Sequence, residues 1–323
     1  ALFGKEPSRS FRELMVIYLE AKQKSRGFTR LKDAAKPLLE YFGDSDITQL
    51  KESHVEQYAT WRLKGVSSGT VRREVGMLSA AFNHAKKKHH WRIDNPCIGA
   101  DKPKEPKGRV RFITRLEAQR LVQAARCPSD AKGQPLPDQY KSPVLPDFIE
   151  LALNTGCRKQ ELLDLKWEDV DFSTRLLRLA ETKGGEWQTV PITDEARAIL
   201  IRRMRRRDEV CPQGPYVFFH ETPRPGADVG DQVQDLKKSF RAACERAEIK
   251  DFRIHDLRHT FASWLVAEGV SLFEVSKLLR HSSIKMSERY AHLAPDHLHQ
   301  AVGHLKFSAQ FQHSPESLQL VGS

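Results

Sequence analysis

The sequence predicts a mainly α-helical protein with a small antiparallel β-sheet, built as an all-helical N-terminal domain and a mixed α+β C-terminal domain. Three observations carry this reading. The 323 residues suffice for two domains at roughly 150 residues each. Apolar residues recur at helical spacing from Ser10 to His90, until a stretch rich in Pro, Lys and Gly, Gly99 to Gly108, breaks the pattern. Beyond it, a single pair of strand-like runs brackets adjacent glycines among further helical segments.

In the first domain, Phe11, Leu14, Met15, Tyr18 and Leu19 mark one helix, and Leu31, Ala35, Leu38, Leu39 and Phe42 mark a second. Two more are expected over Ile47 to Leu63 and Ser68 to Lys88, the last with Val71, Val75, Leu78, Ala81, Phe82 and Ala85 on one stripe. Residues 1–98 are therefore read as a helical domain, 99–109 as a linker, 110–305 as the second domain and 306–323 as a tail. The second domain opens on a capping box, Thr114 with Glu117. Cys127 to Pro146, with five prolines, reads as a long loop. Short helices follow over Asp147 to Leu153 and Arg158 to Leu165, joined at Thr155-Gly156. Leu176 to Ala180 and Trp187 to Ile192 form a hairpin around Thr182-Lys183-Gly184-Gly185, where adjacent glycines permit positive φ. Helices are expected over Thr193 to Arg207, Gln232 to Ala247 and Asp256 to Glu268. Ser271 with Glu274 caps another, and a short one spans Ser283 to His292.

Lys plus Arg number 53 against 42 Asp plus Glu, a formal net charge of +11, which favours a polyanionic partner, double-stranded DNA above all. The five cysteines are odd in number and contain no C-x-x-C pair, so neither a disulfide framework nor a cysteine zinc site is suggested. No run approaches a membrane span or a signal peptide, and a cytoplasmic, nucleoid-associated protein without a membrane partner is expected. Because the chain opens on Ala1 rather than Met, a preceding segment is expected as well. In the first domain Lys32, Lys36, Arg72, Arg73 and Lys86 are candidate DNA-backbone contacts, though an ordinary solvated face explains them equally.

No G-x-x-x-x-G-K-[ST], G-x-G-x-x-G or G-x-S-x-G is present, so nucleotide, dinucleotide and serine-hydrolase chemistry lack their sequence signatures. Asp164, Glu168, Asp169 and Asp171 could converge on Mg²⁺ in a nuclease, but acids at a helix-to-strand turn are common. The densest signal is His255-Asp256-Leu257-Arg258-His259-Thr260, where positions three and four apart share a helix face. A zinc reading of His255 and His259 is weakened by Asp256 where H-E-x-x-H needs Glu. Taken alone, this string is a capped amphipathic helix with polar groups at its edge.

The wider set changes that balance. The T-G-x-R-x-x-E string at Thr155 to Glu161, Lys183 at the hairpin tip, H-D-L-R-H-T-F-A-S at His255 to Ser263, His281, and S-S-I-K-M-S-E-R-Y-A-H-L at Ser282 to Leu293 together resemble the tyrosine recombinase (phage integrase) family over most of Phe112 to Leu293. The first domain resembles that family's core-binding domain only in size, helical content, position and the H-W-R-I-D-N-P stretch at His90 to Pro96. The resemblance implies a site-specific recombinase, without metal or cofactor, that closes on duplex DNA as a clamp and acts as a homotetramer on two DNA sites. Accessory DNA-bending or directionality proteins are further candidate partners, and the tail is expected to dock on a neighbouring subunit. A chromosome-dimer resolvase or a relaxing topoisomerase would use the same chemistry; a DNA-binding regulator that has lost catalysis and, third, a metal-dependent nuclease are the alternatives from other classes.

The residues suit the implied roles chemically. Arg158 and Arg258 are permanent cations for the non-bridging oxygens of an attacked phosphodiester. Tyr290 is the expected nucleophile, His255 its base, Lys183 the proton donor to the departing 5′ oxygen and His281 a donor to phosphate. Glu161 holds Arg158, unless the two are a plain helix ion pair. In the family a glycine usually precedes the second histidine; here Arg280 stands there. Either the turn avoids positive φ or Arg280 is strained, and its side chain is a candidate phosphate contact.

Overall fold

A computed structural model describes residues 8–25, 27–105, 109–127, 134, 142–179 and 188–294. The chain divides into two compact units, Ala1–Gly108 and Arg109–Ser323.

The first unit is a bundle of α1 (Phe11–Lys22), α2 (Phe28–Phe42), α3 (Glu52–Leu63) and α4 (Ser68–His89). Ser10 caps α1 by accepting from the Glu13 N–H, and Ser67 caps α4 by accepting from the Thr70 N–H, each taking one of the donors a helix start leaves free. The helix expected over Ile47 to Leu63 is instead a 3₁₀ turn, Ile47–Gln49, followed by α3; Asp46 caps the turn and Leu50 is extended, which separates the two. The anticipated α4 stripe lies in the core with Phe11, Leu14, Leu38 and Tyr58. Glu74 is buried on that stripe too, accepting from the Tyr58 hydroxyl at 2.7 Å and from Arg62 at 3.0 Å. The start of the expected linker packs on this unit: Ala100 joins its core, the Asp101 N–H donates to Glu56 and Arg72 donates to the Pro103 carbonyl. Gly99 lies so close to the Glu52 carboxylate that a Cβ there would collide with it.

In the second unit α5 (Arg115–Arg126) starts at the anticipated Thr114–Glu117 capping box. Then come α6 (Leu145–Thr155), α7 (Lys159–Leu163), strands β1 (Val170–Asp171), β2 (Leu176–Leu179) and β3 (Gln188–Pro191), and helices α8 (Asp194–Val210), α9 (Lys237–Arg246), α10 (Ile254–Ala267) and α11 (Leu272–Leu278). Two 3₁₀ turns, Ile284–Met286 and Glu288–Leu293, end the described chain. The sheet is antiparallel in the order β1-β2-β3, with Leu177 opposite both Val170 and Val190. Strand β1 lacks an alternating run long enough to be read from sequence. The hairpin tip with Lys183, and most of the Pro-rich segment, lie outside the described residues. Residues 232–236, expected as helix, precede α9 instead: Gln232 forms an antiparallel bridge with Phe219 and the Val233 N–H donates to the Phe218 carbonyl.

Helix α6 is buried on nearly all sides by Leu145, Phe148, Ile149, Leu151 and Ala152, and Pro146 sits in its first turn, where no N–H is missed. Such residues stabilise by roughly 1.5–3 kcal/mol each, which makes α6 a rigid base. Helix α10 packs against it, and α11 and the Glu288–Leu293 turn pack in turn on α10 around Ala262, Val266, Val275, Leu279 and Tyr290.

Candidate active site

The site begins where α6 stops. Gly156 takes the left-handed conformation at φ 62°, and a Cβ there would lie 2.4 Å from the Phe261 ring of α10, so a glycine is required both by backbone and by space. The Gly156 carbonyl thereby turns toward α10 and accepts from Arg258 Nη1 at 2.8 Å. Arg258, 4% exposed, donates its other terminal nitrogen to the Leu279 carbonyl at the end of α11. Burial first, then repulsion from Arg158 and Arg280, lowers its pKa to about 10; it remains a cation at neutral pH.

Arg158 precedes α7 and pairs with Glu161, Nη1 to Oε1 at 2.6 Å, while its backbone N–H donates to Oε2 at 2.7 Å. The same Oε2 accepts from Arg280 at 2.5 Å. Burial alone would raise Glu161, but Arg280 and the Arg158 backbone and side chain more than offset it and hold the carboxyl below its ordinary range. Arg280 itself has φ 54°, so the question left open by its replacing glycine resolves to a left-handed arginine. The bonds around it, His281 N–H to Ser276 and Arg280 N–H to Lys277, close the end of α11 in the way a glycine usually does. Its side chain is only 4% exposed and bound to Glu161 and the Leu278 carbonyl. The expected phosphate contact is thereby corrected: the guanidinium is turned inward as a brace, because Glu161 offers it a buried counter-charge.

Tyr290 is 1% exposed in the Glu288–Leu293 turn, and its hydroxyl lies 2.5 Å from His259 Nδ1. This corrects the pairing expected from sequence. His255 is one helical turn away, at the exposed edge of α10, with its ring edge-on to His259 at 5.0 Å. A hydroxyl meets whichever ring the packing of the turn brings to it, and that packing is not local to the H-x-x-R string. His281 Nδ1 lies 2.8 Å from the hydroxyl of the fully buried Ser287, whose backbone carbonyl accepts the Tyr290 N–H at 2.9 Å. Ser287 thus connects the second histidine to the tyrosine turn. Neither His259 nor Ser287 was among the expected site residues; both lie inside quoted strings, beside Arg258 and three positions before Tyr290, but only the packing reveals their contacts.

The enclosure shifts the ionisable groups accordingly. Burial first, then neighbouring cationic or basic groups, lowers His255 and takes His259 and His281 down to about 4, so the latter two are neutral at pH 7. Burial pushes Tyr290 up to about 12 against the opposing pull of Arg289 and Arg258. Arg158, Arg258, Arg280 and Arg289 all act on His281, which places the expected Arg158, Glu161, His255, Arg258, His281 and Tyr290 in one cluster. Lys183 lies outside the described residues. Within the first unit, Lys36 pairs with Asp33, Lys32 lies over Phe28, Arg73 bonds within its own helix, Arg72 holds Pro103 and Lys86 is exposed. The acidic residues do not converge either, since Asp171 caps Ser173 and Thr174 and Asp164 accepts from Gln160 and Gln232. Among the described residues no group of three or more His, Cys, Asp or Glu could hold a metal ion.

Two protonated arginines, a neutral histidine and a buried phenol beside a second neutral histidine can bind a phosphodiester and present one nucleophile to it. The Phage integrase family profile matches residues 111–297, and that of the phage integrase N-terminal domain matches residues 8–104. The chain is 26% identical to the integrase of Salmonella phage P22, covering 91% of this chain and 79% of that one. It is 28% identical to the tyrosine recombinase XerC of Xanthomonas campestris pv. campestris, over 79% of this chain and 74% of the relative. The Tn1549 transposon integrase in complex with circular intermediate DNA shares the fold, with a TM-score of 0.69 at 21% identity, over 92% of this chain and 99% of that one. The chain belongs to the phage integrase family, the tyrosine recombinases.

Proposed function

We propose that this protein is a site-specific DNA recombinase that breaks and rejoins duplex DNA through Tyr290, integrating and excising a phage or other mobile element. The observation that carries the reading is a buried tyrosine hydroxyl set on His259 within the field of Arg258, with His281 tied to the same turn through Ser287 and Arg158 held at the same cluster by Glu161. Arg158 and Arg258 would grip the non-bridging oxygens and favour the charge that develops on them; losing one such fixed donor costs roughly 10²- to 10³-fold in rate. With its pKa near 12, ionising Tyr290 at pH 7 would cost about 7 kcal/mol at 1.36 kcal/mol per unit, so the proton must leave as the phosphorus bond forms. The product is a 3′-phosphotyrosine, which keeps the energy of the broken phosphodiester, and rejoining then needs neither ATP nor a metal. Lys183 is the proposed donor to the departing 5′ oxygen. Four protomers would act on two DNA sites, in the cytoplasm; the net charge of +11 suits the DNA.

The 28% identity to a XerC recombinase favours a second reading, resolution of chromosome dimers. Substrates carrying two sites from a mobile-element junction or from a chromosome terminus separate the two by which yields recombinant product. The chemistry itself is tested on a nicked duplex, selected for binding from a random-sequence pool, in EDTA. Wild type is expected to form a covalent adduct, seen as a slow band on a denaturing gel, and Tyr290→Phe none. No adduct on a duplex that the protein binds would overturn the reading.

A further inference from the structure

We propose that His259 is the residue that holds the Tyr290 hydroxyl and receives its proton as the DNA phosphorus is attacked. The inference rests on the recombinase reading and assigns a role that the motif resemblance gave to His255. His259 is 8% exposed, one turn beyond His255 on α10, and its Nδ1 is 2.5 Å from Tyr290 Oη. Because the phenol is the stronger acid of two neutral groups, its O–H donates and Nδ1 accepts, with the ring proton on Nε2. That hydrogen bond turns the O–H toward α10 and leaves an oxygen lone pair for phosphorus.

The surroundings say when the proton can move. His259 faces His255 and Arg258 on its own helix, Arg289 and Tyr290 on the turn packed against it, and Arg109 from the segment ahead of α5. Three of these are cations that oppose a fourth positive charge. A phosphodiester bound among the arginines brings the compensating negative charge, so the imidazole gains its proton only when DNA is present. In the step itself the Oη–P bond forms, the O–H proton passes to Nδ1, and the P–O5′ bond breaks with its electron pair on the 5′ oxygen. That oxygen takes a proton from an ammonium group or from water. On rejoining, the 5′ hydroxyl attacks phosphorus and gives its proton back to the amine or water, while the P–Oη bond breaks with its electron pair on Oη, which takes the proton that His259 returns. The nucleophile is thus quiescent in the free protein and becomes competent on the phosphate.

The test uses the full chain and the same nicked duplex, comparing wild type with His259→Ala and His259→Asn. Asn places a carbonyl acceptor near the Nδ1 position. His259→Ala is expected to bind the duplex within about twofold of wild type and to form adduct about 10²-fold more slowly at pH 7, the scale of a lost general base. Its rate should climb about tenfold per pH unit toward pH 9, as hydroxide replaces the base, while wild type stays nearly flat. His259→Asn keeps an acceptor that can hold the hydroxyl but no base that can take its proton, so it is expected to stay within a few-fold of alanine with the same rise toward pH 9, and asparagine near the wild-type rate would overturn the base role. Alanine at the wild-type rate, or alanine and asparagine equally slow with the pH profile of wild type, would overturn the assignment. Nitrogen-15 NMR of the wild-type histidines gives an answer that needs no variant to fold: His259 is expected as the Nε2–H tautomer, and the Nδ1–H tautomer sinks the proposal. Failure of wild type itself to form adduct is a distinct outcome, one that overturns the recombinase reading and this inference with it.

Discussion

Glu161 illustrates how one side chain can serve two cations. Its two oxygens hold Arg158 on the solvent side and Arg280 on the buried side, and Arg280 in return occupies a left-handed position that costs an L residue about 1 kcal/mol. Removing the charge while keeping the shape isolates what the carboxylate does. Glu161→Gln leaves Arg280 buried without a full counter-charge and is expected to destabilise the second unit by about 3 kcal/mol. It also frees Arg158, so adduct formation should slow by about 10-fold or more while wild-type DNA binding is largely kept. Denaturant unfolding and the single-turnover assay measure the two effects separately. The pairing of Arg158 with Glu161 was legible from their spacing of three, but the role of Arg280 was not, because its partner lies 119 positions away in the chain.

At the scale of elements, the two units use buried polar groups differently. In the first, Glu74 of α4 ties α3 to α4 through Tyr58 and Arg62, and its carboxylate lies on the apolar stripe itself. Periodicity alone places a charged residue on the solvent face, so this brace was invisible until the helices were packed. Glu74→Ala would leave the half-buried Arg62 and the buried Tyr58 hydroxyl without their acceptor, and is expected to destabilise the first unit by about 3 kcal/mol, read as a lower denaturation midpoint. In the second, the helix ends do the positioning: the left-handed Gly156 at the end of α6 aims its carbonyl at Arg258, and the end of α11 supplies the Leu279 carbonyl to the same guanidinium. Capping residues such as Thr114, Ser271 and Gly156 were readable because their chemistry is local. The start of α9 was not, because Gln232 and Val233 pair with Phe219 and Phe218 instead of joining the helix.

For the whole molecule, the cluster of neutral histidines makes stability depend on pH. His259 and His281 titrate near 4 in the folded chain and near 6.5 when unfolded. Between those values the unfolded state binds more protons, so stability rises with pH; the contribution is complete above about 6.5 and lost as pH falls toward 4. Calorimetry is expected to show the melting temperature of the second unit falling from pH 7 to pH 5, and the combined variant His259→Asn, His281→Asn showing a smaller fall. The basic net charge acts elsewhere, on association with a polyanion, and has no part in this trend.

The sequence by itself determined that the protein is two mainly helical domains and where most helices begin and end, and it singled out Arg158, Glu161, His255, Arg258, His281 and Tyr290, which the fold brings into one cluster. These follow from patterns carried within a few neighbouring residues: periodicity, caps and short strings. The tertiary structure alone decided that His259 rather than His255 meets the Tyr290 hydroxyl, that Ser287 connects His281 to the Tyr290 turn and that Arg280 faces inward. Each of those depends on how α11 and the tyrosine turn settle on α10. That packing joins residues far apart in the chain, and no local pattern encodes it.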